Sequence, residues 1–251
     1  MYQMSQSYAP VRNYSKLESI TNGNIAYSAS VPQDYTLFNS PVIGVTYTES
    51  SVLSQTYQHN DPLYNLFTPQ VEYHFTPDHF LKPGKKSIFV GKAVEIKDYI
   101  EETFEKMFQK PFPTNIKINI CNENTFRKIA PSPGTIGVSF NRNKYGLLSE
   151  IFVLNDYLAR VMLTLGHELG HVLTETLNNA HNEEAKAYAF SLAWMEIIKE
   201  HNIAGLGDAI IFENPADNGL HNVAFSFVKK LILQGEMAWE IYLKLINHNL
   251  F

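Results

Sequence analysis

Apolar positions in the second half of the chain recur mostly with helical spacing, interrupted by short stretches that alternate like strands. Residues 92–110 (KAVEIKDYIEETFEKMFQK) set Val94, Ile96, Tyr99, Ile100, Phe104, Met107 and Phe108 near one face, and Pro111 and Pro113 end the helix this predicts. Residues 115–121 (NIKINIC) alternate with period two and read as a strand. A short helix is expected over 122–130, followed by a PSPG turn. Two strand-like runs, 136–141 and 150–155, flank NRNKYG and predict a hairpin. After Asn155 and Asp156, both good N-cap residues, four helices follow over 157–177, 182–200, 222–234 and 236–247. No internal repeat is visible. This order predicts an α+β fold, a small mixed sheet packed beside a helical C-terminal half.

Residues 1–85 are different in texture. They are rich in Ser, Tyr, Thr, Asn, Gln and Pro, with strand-like fragments such as PVIGVTYT over 41–48 and little helical period. The many tyrosines supply apolar area that favours ordering over a free polar tail. A packing arm or a prosegment over 1–85 is expected, with the boundary to a domain over 86–251 in the turn LKPGKK.

At 251 residues the chain can bury an apolar core without disulfide or metal staples. Its one cysteine, Cys121, excludes an internal disulfide and a thiolate zinc knuckle, so any metal site must rest on His and carboxylate. The net charge of -5 and the lack of a basic cluster leave no footprint for nucleic acid or an anionic membrane. The N-terminus lacks the apolar core of a signal peptide, and no run approaches the roughly 20 apolar residues of a membrane span. A soluble, cytoplasmic protein is the expectation.

Within the 157–177 helix lies LGHELGHVL, residues 165–173. Positions i and i+4 share a helix face, so His167 and His171 can offer imidazoles to one zinc ion at ~2.0–2.1 Å. Glu168 follows His167 by ~100° of rotation, beside the metal and not on it. There it can act as general base on a zinc-activated water and then as general acid toward the leaving amine, which makes HExxH a hydrolase signature. Gly166 and Gly170 each cost a helix up to ~1 kcal/mol relative to Ala, which implies that something approaches closely. Leu158, Val161, Met162, Leu165, Leu169 and Val172 form a core stripe and leave the histidine face toward a cleft.

A catalytic zinc usually has three protein ligands. Glu175 fails, because groups at i, i+4 and i+8 span ~12 Å along one axis. The metzincin pattern is excluded by Thr174 and Leu177 at its glycine and third histidine positions. The next helix begins within HNEEAKAYAFSLA, residues 181–193, and should fold back beside the first across a short connection. His171 then stands ~9 Å before the end of its helix, a gap that a long carboxylate and a tilted helix pair would have to close. Either Glu183 or Glu184 is available, the other complementing the N-terminal dipole of a helix capped by Asn182.

HELGH followed by a helix of the form E-x-x-A-x-x-F resembles the gluzincin metallopeptidases, with the minigluzincins and the ImmA/IrrE-like peptidases nearest in shape. Glu184, Ala187 and Phe190 match that pattern, over a resemblance covering residues 92–199. It implies a zincin-like fold, zinc held by His167, His171 and Glu184, Glu168 as the catalytic residue, and endopeptidase activity on a peptide or protein substrate. An edge strand over 136–141 would pair with extended substrate. Where relatives often carry Asp or Asn, this chain has Tyr188, which leaves support of His171 unassigned. Tyr145, Tyr188 and His221 are candidates to steady the oxyanion, while Cys121, His74 and His79 read as structural or incidental. The alternative is a non-catalytic zinc-binding regulatory or interaction protein on the same fold, against which Glu168 argues, because a scaffold needs ligands and no base. Self-inhibition by the N-terminal segment along the cleft is a further expectation.

Overall fold

The computed structural model describes residues 75–84, 87–212 and 220–247, so the strand-like run 41–48 and His74 lie outside the described residues. Strand β1 (Phe89–Val90) is followed by a 3-10 turn at Ala93–Ile96, helix α1 (Lys97–Phe108), strand β2 (Ile116–Cys121) and helix α2 (Glu123–Phe126). Then come β3 (Gly137–Phe140), β4 (Ser149–Leu154), β5 (Asp156–Tyr157) and helices α3 (Leu158–Val172), α4 (Ala180–His201), α5 (Leu220–Leu233) and α6 (Ala238–Ile246). The architecture is mixed α+β. Among the described residues no helix is long and apolar enough to cross a membrane.

The main sheet has the order β2-β4-β3. The expected hairpin forms between β3 and β4, with Gly137 opposite Val153 and Phe140 opposite Glu150, while β2 joins β4 in parallel, Ile116 opposite Ser149. Helix α3 packs on one face. On the other, Cys121, Phe126, Ala130, Val138, Phe140 and Phe152 make a second, smaller apolar cluster. With both faces covered, β2 loses the one-sided burial its alternation predicts: Asn119 is buried and its Nδ2 donates to the Ile151 carbonyl at 3.3 Å. Burial also gives Cys121 a packing role.

Several boundaries move for local reasons. Val94 is 60% exposed, because 93–96 is a 3-10 turn to which the α-helical projection of the sequence does not apply. Asp156 does not cap α3; it sits in β5, paired with Val90, and bonds Arg160 at 2.8 Å. Helix α3 stops at Val172, five residues short of the expected end. Its last carbonyls are taken by the hairpin loop: Asn141 Nδ2 donates to His171 and Thr174, both at 2.6 Å, and Asn143 Nδ2 donates to Val172. Asn179, not Asn182, caps α4, accepting from the amides of His181 and Asn182.

The end of the N-terminal segment is part of the core. Phe75 and Phe80 are buried, Leu81 bridges Ile210, and Asp78 pairs with Arg160 at 2.6 Å. This strap lies upstream of the boundary drawn at residue 85.

The two helix glycines have a packing reason. A Cβ on Gly166 would enter the indole of Trp194, and one on Gly170 would lie 2.7 Å from the Ala187 Cα of α4. The close approach implied by the sequence is thus the neighbouring helix. Gly170→Ala should therefore destabilise the protein: overpacking against backbone costs about 1–3 kcal/mol, only partly offset by about 1 kcal/mol of helix propensity. Urea unfolding would check this, and a variant more stable than the parent would refute the contact.

Candidate metal centre

Helix α3 carries the two histidines one turn apart, and the tight contact at Gly170 brings α4 alongside, with Glu184 about one turn before Ala187. Because α3 ends one residue after His171, the overhang expected from the sequence does not exist. The Nε2 of His167 lies 3.6 Å from Glu184 Oε2, and the Nε2 of His171 lies 3.5 Å from Glu184 Oε1. One ligand atom from each of the three residues falls within 4.8 Å of the others, a group that could hold a metal ion. Tetrahedral ligands at ~2.0–2.1 Å from one ion stand roughly 3.3–3.4 Å apart, so the donor set fits a cation with little adjustment.

Glu168 is buried on the flank of this group against β3. A Cβ at Gly137 would lie 2.6 Å from its Oε1, so only glycine leaves room for the carboxylate there. Burial raises the Glu168 pKa to about 7; the charge of His171 and a hydrogen bond from Ser139 oppose this, and Glu184 adds to it. A buried carboxylate next to a possible metal is placed for general acid and base work.

Glu183, in the first turn of α4, is more than a helix-end charge. It is buried, and its Oε1 accepts from His171 Nδ1 at 2.8 Å while its Oε2 accepts from the Leu177 amide at 2.7 Å and from Lys186 Nζ at 2.9 Å. The bond to Nδ1 leaves Nε2 of His171 for an ion. The support of His171 left unassigned by Tyr188 therefore comes from Glu183. The signal was the tandem Glu183–Glu184 with Lys186 three residues on, a short ion-pair spacing on a helix.

His167 is held by rings. Phe75 stacks on it at 4.5 Å and 12°, and Tyr188 meets it edge-on at 5.0 Å. On the His167 side the histidine face is therefore covered by Phe75 of the N-terminal strap. Tyr188 is buried and its hydroxyl pKa is pushed up by that burial and by Glu184. Tyr145 stands on the hairpin loop and is exposed, and the side chain of His221 lies outside the described residues. Glu175 falls in the connection between α3 and α4, its carbonyl accepting from Lys186 at 3.1 Å.

For the side chains by themselves, burial lowers the pKa of His171, but the hydrogen bond to Glu183 and the charges of Glu184, Glu183 and Glu168 outweigh it and lift the value to about 9. Both His171 and Glu168 have folded values above their ordinary ones. Their contribution to the metal-free fold is thus complete at low pH and lost as pH rises through about 7 and about 9. A cation requires neutral His171, so its binding releases that proton and tightens with rising pH. The rise in melting temperature on adding zinc should be larger near pH ~8.5 than near pH ~6.5 at equal free zinc. Equal increments would contradict the assignment of His171.

No protein-family model, curated protein or solved structure matches this chain, and its chemistry is therefore read from these side chains alone.

Proposed function

We propose that the protein is a zinc-dependent endopeptidase, a zincin-like fold of the gluzincin type. The observation that carries this reading is the buried Glu168 carboxylate beside a convergent pair of imidazoles and a third-ligand carboxylate. Two histidines and one glutamate suit zinc and leave a position for water or substrate. A bound zinc ion would lower the pKa of water and polarise the scissile carbonyl. Glu168 takes the proton of the attacking water and delivers it to the leaving amine nitrogen. Ser139 and the space at Gly137 orient its carboxylate. Strand β3, outermost in its sheet and in contact with α3, is the element beside which an extended peptide would lie.

The same reading extends to restraint by the N-terminal segment. Phe75, the first described residue of the N-terminal segment, stacks directly on His167 at the metal group. A chain beginning at Phe75, which keeps the Phe75 and Phe80 core contacts, should cleave an unstructured protein faster than the full chain. Equal rates would remove the restraint.

The roles of the acidic residues separate by substitution. Glu168→Gln keeps the shape and loses the base, so peptide hydrolysis should fall roughly 10²–10⁴-fold while zinc stays bound near one per chain. Glu184→Ala removes a ligand and should weaken zinc binding more than Glu183→Ala, for which a loss of about 10–100-fold is expected. Retained hydrolysis in Glu168→Gln, or release of zinc by it, would sink the catalytic assignment.

A further inference from the structure

Lys186 is 0% exposed, on the first turns of α4 and two residues past Glu184. Lysine is almost never fully buried unless paired, so its position calls for an account. Its ammonium donates to Glu183 Oε2 at 2.9 Å and to the Glu175 carbonyl at 3.1 Å. Glu183 in turn accepts from the Leu177 amide with the same oxygen and from His171 Nδ1 with the other. One side chain thus joins α4, the connection between the two ligand-bearing helices, and the imidazole of His171. Tyr188, one turn beyond Glu184, packs its ring among those of His167, Phe75 and Phe225.

Stability alone does not explain the arrangement. A buried ion pair is often no better for the fold than well-packed apolar side chains of similar volume. What the ion pair adds is direction. A carboxylate with one oxygen fixed between an ammonium and an amide presents the other along a single line, and an imidazole bonded to it cannot rotate freely. We propose that Lys186 is a positioning residue for the metal centre: by fixing the Glu183 carboxylate it sets the rotation of the His171 ring that aims Nε2 toward Glu184 and the ion. His167 and His171 are then held by different means, His167 by ring stacking and His171 by a chain of charged hydrogen bonds.

This rests on the metal-centre reading, and the experiment separates the two. Zinc affinity is measured by competition with a chromogenic chelator, and coordination by the visible spectrum of protein saturated with cobalt. Lys186→Met keeps much of the volume and removes the cation. Glu183→Met/Lys186→Met replaces the whole pair with apolar chains and covers the case in which the single variant fails to fold. The expected result is a zinc Kd raised about 10–100-fold, with displaced or weakened cobalt bands, in each variant that folds. Lys186→Arg, which keeps the cation, should recover part of the affinity. A folded variant with parental zinc affinity and an unchanged cobalt spectrum would overturn the proposal. So would weakened affinity with an unchanged spectrum, since a general loosening of the fold predicts that. If the parent protein takes up neither zinc nor cobalt, the metal centre itself fails.

Discussion

Everything at the site depends on how closely α3 and α4 approach one another. The contact of Gly170 with the backbone of Ala187 leaves no room for a β-carbon, and Gly166 makes the matching space for Trp194. Trp194 in turn donates from its indole nitrogen to the Met162 carbonyl, locking the two helices in register. Only at this separation does a carboxylate on α4 reach both imidazoles on α3. Two glycines that weaken an isolated helix are therefore the condition for a three-residue group shared between helices.

A second constraint is charge. Glu168, Glu183 and Glu184 are all buried in one neighbourhood, with Lys186 as their buried lysine partner. Unbalanced buried carboxylates are costly, and the side chains by themselves answer by holding protons, Glu168 to about 7 and His171 to about 9. A dication plus Lys186 balances three carboxylates while both histidines are neutral. The charges gathered here are thus compatible with a doubly charged cation held by the group that could bind one.

The hairpin and the N-terminal strap close the site from outside the helix pair. Asn141 and Asn143 take the carbonyls at the C-terminal end of α3, which stops the helix one residue past His171. Gly137 and Ser139 of the same strand system receive Glu168. Phe75 stacks on His167, anchored by Phe80 in the main core and by the Asp78–Arg160 pair. Elements far apart in sequence therefore each fix one member of the site.

Local rules were enough for the sequence to place most of the elements and to set two histidines on one helix face. Apolar periodicity located α1, β2, the β3–β4 hairpin and the helical half, because each pattern reports a face that must be buried. The i, i+4 spacing of His167 and His171 and the glutamate between them follow from helix geometry alone. Helix ends were less legible: α3 was expected to reach Leu177, because its terminating partners, Asn141 and Asn143, lie about 30 residues earlier in the chain. The same limit hid the role of Glu183 and the burial of Lys186, since a bond between side chains on two helices is set by their separation and relative rotation. The stacking of Phe75 on His167 belongs to this class as well, bringing together rings separated by ninety-two positions. What a residue can do was written in its type and spacing; which partner it meets was decided by packing, because long-range contacts depend on how whole elements fit against one another.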